Sequence, residues 1–312
     1  MYTMHERRAL ALDCDRCGSP VPLDRPMVVP LRCDSCGQRF AQEAGAVLLG
    51  DTEEETEFTA DSYRLLEDLE ARHYWFAARS RLILAALRRR LGSLEGRRIL
   101  DVGCGTGLVL AALERCETIT CGLDRRLSAL QHARARVQGH LIRNQSGRVP
   151  FTGQFDVTLA CDVIEHVEDD VALLREMLRA TRRGGILLVT VPASPRLWSA
   201  YDEVAGHRRR YTRRTLVRAL AMAGFERICA RYFSCLPYPA LLLQRRSLPT
   251  ADGPDERAKL VRDALRVPPA PINALLSFAT FVEMPLARIC PFGGSLIATA
   301  VAPEAAAPRV TS

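Results

Sequence analysis

Arg98-Ile-Leu-Asp-Val-Gly-Cys-Gly-Thr-Gly-Leu108 is the stretch on which the fold of this chain turns. An apolar strand, Arg98-Ile-Leu-Asp-Val102, meets three glycines at alternate positions and then the helix-forming run Leu108 to Glu114. Gly103, Gly105 and Gly107 let the backbone come close to a ligand. The helix behind them offers free N–H groups and the positive end of its dipole. Outward from this turn, strand and helix patterns alternate. Thr118 to Asp124, a weak His140 to Arg143, Phe155 to Cys161 and Gly185 to Val191 read as strands, with helices at Leu127 to Val137 and Val171 to Arg179. Thr212 caps a helix over Leu216 to Ala223 that stops at Gly224, and Arg227 to Cys235 and Gly294 to Val301 supply a sixth and a seventh strand. The alternation predicts an α/β fold: a seven-stranded, mostly parallel sheet with helices on both faces.

A glycine turn of this kind suits either a pyrophosphate or the adenosine and amino-acid portions of S-adenosylmethionine. Two details separate them. The dinucleotide fingerprint G-x-G-x-x-G requires glycine at position 108, where this chain has Leu108. An acid, Asp101, stands just before the loop, where it meets an ammonium group better than a phosphate. Asp124, at the end of the second strand, suits a bidentate contact to ribose hydroxyls, a placement both cofactor classes use.

With these features the chain resembles the class I S-adenosylmethionine-dependent methyltransferases, particularly the small-molecule type that includes the ubiquinone-biosynthesis methyltransferases, which have a Rossmann-like sheet. Asp101-Val-Gly-Cys-Gly-Thr-Gly107 is similar to that family's first motif, and Asp124 to its ribose-binding acid. Gln145-Ser146 with Val149-Pro150-Phe151 resembles the adenine-recognition segment, although the family often carries Asp where Asn144 or Gln145 falls here. Cys161-Asp-Val-Ile-Glu-His-Val167 resembles the fourth-strand motif that lines the methyl-transfer pocket, and Gly184-Gly185 also fits. The resemblance covers about Arg72 to Phe225. It implies S-adenosylmethionine as cofactor, held by Tyr74, Arg79, Asp101, Gly103, Cys104, Gly105, Gly107, Asp124, Arg125, Gln145, Ser146, Cys161, Asp162 and His166. It also implies a small-molecule, lipid-linked or saccharide acceptor, with O-, N- or C-methylation open. The alternatives are an RNA methyltransferase, a non-catalytic zinc-ribbon scaffold and an NAD-dependent oxidoreductase. The fourth strand lacks the Asn/Asp-Pro-Pro-Tyr/Phe motif that holds a flipped base, the intact glycine loop argues against a scaffold, and Leu108 argues against NAD.

Two histidines are candidate general bases. His166 follows the fourth strand, where it serves as base, as cofactor contact or as cap of the next helix. His207 lies in Trp198-Ser-Ala-Tyr-Asp-Glu-Val-Ala-Gly-His-Arg-Arg-Arg-Tyr-Thr212, a polar and aromatic run at the ligand-binding edge of the sheet; its other reading is to order that loop through Asp202 or Glu203. The helix from His73 to Leu87 begins with aromatics and places Arg79 to pair with the methionine carboxylate; alternatively it is a core helix with a surface arginine. The insertion at about 236–290 holds apolar clusters around a charged stretch. It reads as helices packed on the domain, as a cap over an apolar substrate or as a membrane-surface patch.

The N-terminus carries Cys14-Asp-Arg-Cys17-Gly18 and Cys33-Asp-Ser-Cys36-Gly37. This C-x2-C pair of pairs predicts a structural, four-sulfur Zn²⁺ site, closed to catalysis. Between the knuckles, Pro20 to Arg32 reads as a hairpin, and the last apolar residues of Phe40 to Leu49 as a closing strand. The expected organisation is a zinc ribbon over 8–50, an acidic linker over 51–72, a methyltransferase domain over 73–303 and a loose tail over 304–312. Net charge is +7, but Lys259 is the only lysine and the arginines are scattered, so a solvated surface fits better than a nucleic-acid stripe, and DNA is not expected. The arginine skew suggests a GC-rich bacterial genome. No secretory signal or apolar run long enough to span a bilayer is seen, which predicts a cytoplasmic protein with reduced thiols.

Overall fold

The computed structural model describes residues 10–23, 31–50, 60–246, 266–286 and 290–304, with single positions between 248 and 263; of residues 60–62 and 284–286 only the backbone is described. The expected tail beyond 304, the first half of the expected linker and the stretch before residue 10 lie outside the described residues.

The central strands are β5 (Arg98–Val102), β6 (Ile119–Asp124), β7 (His140–Asn144), β8 (Phe155–Cys161) and β9 (Thr181–Pro192), all mutually parallel, with β11 (Ser295–Val301) antiparallel to β9 and β10 (Glu226–Phe233) antiparallel to β11. These are the seven strands expected from the sequence. Two more extend the sheet: β4 (Ala46–Leu49) pairs parallel with β7, and β3 (Gln42–Glu43) pairs antiparallel with β4, giving the order β10-β11-β9-β8-β5-β6-β7-β4-β3. Period-two alternation divides the strands between two faces. Ile99, Val157, Leu159, Ile186 and Leu188 face Ile83 and Leu87 of α2 (Tyr74–Leu91) and Val109 and Leu113 of α3 (Leu108–Glu114). Leu100, Ala160, Leu187 and Val189 face Leu174 and Met177 of α5 (Asp170–Ala180) and Leu216 and Leu220 of α7 (Arg213–Met222). The chain leaves β5 for β6 on one side and later returns to β8 on the other, so a crevice opens at the carboxyl ends of β5 and β8.

Two expectations change, and a third falls largely on residues that are not described. The closing strand of the ribbon is β4, which packs Val47 and Leu49 with the ribbon's Leu12 and Phe40 but also extends the main sheet, pairing along β7. Most of the hairpin expected over Pro20 to Arg32 lies outside the described residues, which lack 24–30; β2 (Pro20–Pro22) pairs antiparallel with β1 (Ala11–Asp13), and Arg32 bridges Arg39. Within the stretch expected to be an acidic linker, Ala60–Arg72 forms α1, whose buried Tyr63, Leu69 and Glu70 pack it on the domain. The apolar insertion contains α8 (Tyr238–Arg246) and α9 (Ala270–Leu286). Helix α4 (Leu127–Arg136) and α6 (Ala200–Val204) complete the α-helices named here. Among the described residues no helix is long and apolar enough to cross a membrane.

Candidate active site

The glycine turn is held from beneath by β6. Gly103 N and Cys104 N both donate to Leu123 O, at 2.7 and 2.9 Å, and Gly105 N donates to Asp124 Oδ2 at 2.9 Å. Gly103 has φ +73°, and a Cβ there would stand 2.5 Å from Val163 Cγ2; Gly105 has φ +53° and open space where a Cβ would be. The turn therefore needs glycine at 103 for contact with the chain after β8, and at 105 it presents bare backbone to the crevice. The Cys104 side chain points the other way, into the apolar cluster of Leu110, Leu130, Ala133 and Leu141, so of this expected cofactor contact only the backbone faces the turn. Thr106 is fixed by a residue that sequence reasoning placed in the linker: its hydroxyl donates to the buried Glu70 carboxylate at 2.7 Å, and Arg136 pairs with that same carboxylate.

Asp101 is 1% exposed, and its Oδ1 has no hydrogen-bond partner. Burial, opposed by Arg79 and aided by the Asp124 charge, pushes its carboxyl up to about 7. Asp124 stands beside the turn, with Oδ2 accepting from Gly105 N and Oδ1 from Arg126 N, each at 2.9 Å. Across the ends of β6 and β7, Gln145 Nε2 donates to Arg125 O at 3.4 Å, while Asn144 Oδ1 accepts from the Ser146 backbone and hydroxyl. The expected donor-binding residues Asp101, Gly103, Gly105, Gly107, Asp124, Arg125, Gln145 and Ser146 thus line successive strand ends β5, β6 and β7. Sulfonium, ammonium and ribose are the chemistry such a set fits, and the unsatisfied Oδ1 of Asp101 calls for a cationic hydrogen-bond donor.

On the far side of the crevice, β8 ends at Cys161 and the chain turns sharply at Asp162, whose φ is +58°. Asp162 is held by an ion pair to the buried Arg79 and by Thr190 Oγ1 at 3.2 Å. Arg79 was expected to meet a methionine carboxylate; here its guanidinium pairs with Asp162 and lies 4.8 Å from the Trp75 ring centroid, as a buried cation requires a near counter-charge. Tyr74, another expected donor contact, is buried against α9, its backbone N–H held by Asn273 Oδ1 at 3.0 Å. Glu165 is fully buried and neither of its carboxyl oxygens has a partner. Burial, with the Asp162 charge, pushes its pKa far up, so it keeps its proton. Sequence reasoning passed over it because a glutamate after a strand end usually faces water.

The two candidate bases meet. The His166 and His207 rings stand edge to face, centroids 4.8 Å apart. His207 Nδ1 bonds Asp202 Oδ1 at 2.7 Å, and Arg210 Nε donates to that oxygen at 2.7 Å. Burial opposes ionisation of Asp202, yet the hydrogen bonds from His207 and Arg210 hold its pKa down to about 2. A carboxylate on Nδ1 assigns that nitrogen the proton and leaves Nε2 as an acceptor. Desolvation, then the charge of His207, lowers His166 to about 4. Arg245 of α8 lies 4.2 Å over the Tyr201 ring, closing this side with a cation that the sequence did not single out. The arrangement can take a proton at His207 Nε2 beside a site for a donor's charged end.

The N-terminal cysteines form a separate cluster. The Sγ atoms of Cys14, Cys17, Cys33 and Cys36 lie within 4.8 Å of one another, with Cys14 to Cys36 at 3.7 Å and Cys17 to Cys33 at 3.6 Å. A tetrahedral Zn²⁺ with bonds of about 2.3 Å needs sulfur separations of roughly 3.8 Å, so the four thiols fit that ion. Matching turns position them: Gly18 N donates to Cys14 O and Gly37 N to Cys33 O, each at 2.8 Å, with φ +74° and +76° at the glycines. Hydrogen bonds from Ser19 lower Cys17 to about 6, whereas Cys36, against a hydrogen bond from Gln38, is pushed up to about 12 by burial and the facing thiols. None of the eleven cysteines is joined in a disulfide.

Residues 72–230 match the family described as "Methyltransferase domain". The ubiquinone biosynthesis O-methyltransferase of Escherichia coli O127:H6 is 28% identical over 125 residues, 38% of this chain and 52% of that protein. The enzyme of the same name from Leptothrix cholodnii is 25% identical over 155 residues, 44% of this chain and 66% of that protein. This chain thus spans about half to two thirds of the length of these curated relatives. Among solved structures, Haemonchus contortus phosphoethanolamine N-methyltransferase 2 in complex with S-adenosyl-L-methionine superposes with a TM-score of 0.53 at 19% identity, over 80% of this chain and 58% of that one, a likeness of fold.

Proposed function

The chain belongs to the methyltransferase-domain family that its residues 72–230 match, and from that premise we propose that it transfers the methyl group of S-adenosylmethionine to a small-molecule, lipid-linked or saccharide acceptor. The observation that carries this reading is the buried, unsatisfied Asp101 Oδ1 beside a glycine turn whose bare Gly105 and adjoining Asp124 face the same crevice. The names of the relatives, which place them in ubiquinone biosynthesis, support a small or lipid-linked acceptor.

S-adenosylmethionine supplies a methyl group already activated by its sulfonium. The chain's own residues then have three tasks: holding the donor, aligning the acceptor and removing a proton. Asp101 receives the ammonium, Asp124 the ribose, and the Asn144–Ser146 turn the adenine. His207, oriented by Asp202, takes the acceptor's proton at Nε2. His166 stays neutral and borders the acceptor, while protonated Glu165 keeps a second negative charge away from Asp162. The four N-terminal cysteines hold a structural Zn²⁺. We read the protein as cytoplasmic, with an N-terminal cysteine ribbon whose last strand, β4, joins the sheet of the methyltransferase domain, and with α1 as part of that domain. An RNA acceptor is disfavoured because the ribbon's last strand is built into the sheet and does not project as a separate arm.

Calorimetry with S-adenosylmethionine tests the reading. The full chain should bind with micromolar affinity, and Asp124→Ala should weaken binding by at least about tenfold while circular dichroism shows the fold retained. No binding by the unaltered chain refutes it.

A further inference from the structure

Helix α9 is inside out. Its face toward the protein carries Asn273, Thr280 and Glu283. Asn273 bridges the start of α2, accepting from Tyr74 N and donating to Arg72 O at 2.9 Å. Glu283, 2% exposed, receives three successive backbone N–H groups from Ser234, Cys235 and Leu236, the last two at 2.9 and 3.0 Å. Its outward face holds Ile272, Leu275, Phe278, Phe281 and Val282, exposed by 39% to 65%. Spacings of three and four place these on one stripe about 15 Å long. Leu236, whose N–H is bound by Glu283, is exposed beside the end of the helix.

The orientation is not an accident of an apolar helix lying on a surface. Polar anchors at both ends, Asn273 and Glu283, fix the rotation of α9 about its axis and point the aromatic stripe away from the core. Exposing two phenylalanines and three aliphatic side chains costs folding free energy, so the stripe has an occupant. The charges around it indicate which. The only ionisable residue of α9 is the buried Glu283, so the stripe itself is uncharged. At its border, exposed Arg81 reaches Ser277 Oγ at 3.3 Å, and exposed Arg266 lies four residues before the helix. Asp68 is answered by Arg72 at 3.1 Å. A second copy docked on the same face would set these arginines against each other. Anionic headgroups complement them, while the acyl boundary takes the phenylalanines.

We propose that α9 seats the protein on an anionic bilayer surface, lying in the interface plane with Phe278 and Phe281 inserted. The surface belongs to the insertion between β10 and β11, and it stands independently of the methyl-transfer reading. Its link to the crevice is structural: the same Asn273 that orients α9 fixes the first residue of α2, the helix carrying Arg79.

The full chain should co-sediment with vesicles of phosphatidylcholine and phosphatidylglycerol at least about tenfold more than with phosphatidylcholine alone, and high salt should reduce that margin. Phe278→Ser with Phe281→Ser should cut the bound fraction at least about tenfold. Arg81→Gln with Arg266→Gln should remove most of the preference for the anionic lipid. The unaltered melting temperature of each variant shows that the fold is intact. Equal binding by the phenylalanine double variant, or no binding of the parent chain to anionic vesicles, overturns the proposal. It is also overturned if sedimentation velocity shows a dimer of the parent chain that the phenylalanine variant abolishes, since the stripe would then be a self-association surface.

Discussion

Replacing Asp101 by Asn should make the ligand-free protein more stable and the donor site worse, both by calculable amounts. The carboxyl is buried, has one unsatisfied oxygen and is pushed up to about 7 from an unfolded value near 3.8. Because the folded state holds a proton that the unfolded chain has released, stability falls as pH rises from about 4 to about 7. Above that window the ionised, buried carboxylate costs roughly 4 kcal/mol, at about 1.36 kcal/mol for each pKa unit. Between about pH 5.5 and about pH 8 the cost grows by about 2 kcal/mol. The substituted amide would not titrate, although it also needs a partner and returns about 1–3 kcal/mol of the gain. Urea denaturation of both proteins across that pH range checks this: the variant-minus-parent difference isolates this group from the other buried acids and should rise by about 2 kcal/mol. Donor affinity should move the opposite way, falling about 10- to 100-fold with the loss of a charge-assisted hydrogen bond to the ammonium. Parallel stability curves, or unchanged affinity, would refute the assignment of Asp101 as the ammonium's counter-charge.

Two further expectations concern the other clusters. Freshly purified protein should hold one equivalent of zinc per chain by elemental mass spectrometry, and Cys17→Ser with Cys36→Ser should remove it and lower Tm by about 5 °C or more; metal-free parent protein would disprove the ribbon. His207→Gln and Asp202→Asn should each lower methyl incorporation from labelled donor into cell extract by about 10²- to 10⁴-fold with donor affinity kept. Full turnover in both variants would leave the dyad a loop-ordering device.

What could be read from sequence alone was whatever depends on local spacing. The glycines of 103–107 and the paired cysteines advertise their geometry because a backbone turn or a metal demands fixed intervals. The seven strands follow from apolar runs between turn residues. What escaped depends on partners distant in the chain. Val47 and Leu49 look like a strand, but nothing local shows that β7 lies beside them. Glu70 sits among acids typical of a solvated segment and acquires its role only from Thr106 and Arg136. Arg79 and Asp162, 83 residues apart, meet only when α2 covers the end of β8. For α9 the signal was present: Asn273, Ser277, Thr280 and Glu283 recur every three or four residues, opposite the aromatics. Periodicity defines two faces; which one is turned inward depends on the backbone groups waiting just after β10 and where α1 meets α2.

The parallel pairing of β4 with β7 also bears on synthesis. Ala46 faces Leu141 in register, so the strand emerges from the ribosome 95 residues before its neighbour. At about 5–20 residues per second, that is roughly 5–20 s during which Val47 and Leu49 have no sheet to join. The four cysteines, complete by residue 36, can close on a metal in that interval and tether an otherwise adhesive segment. Zinc shortage would then show itself first in the yield of newly made chains, and only later in the endurance of those already folded.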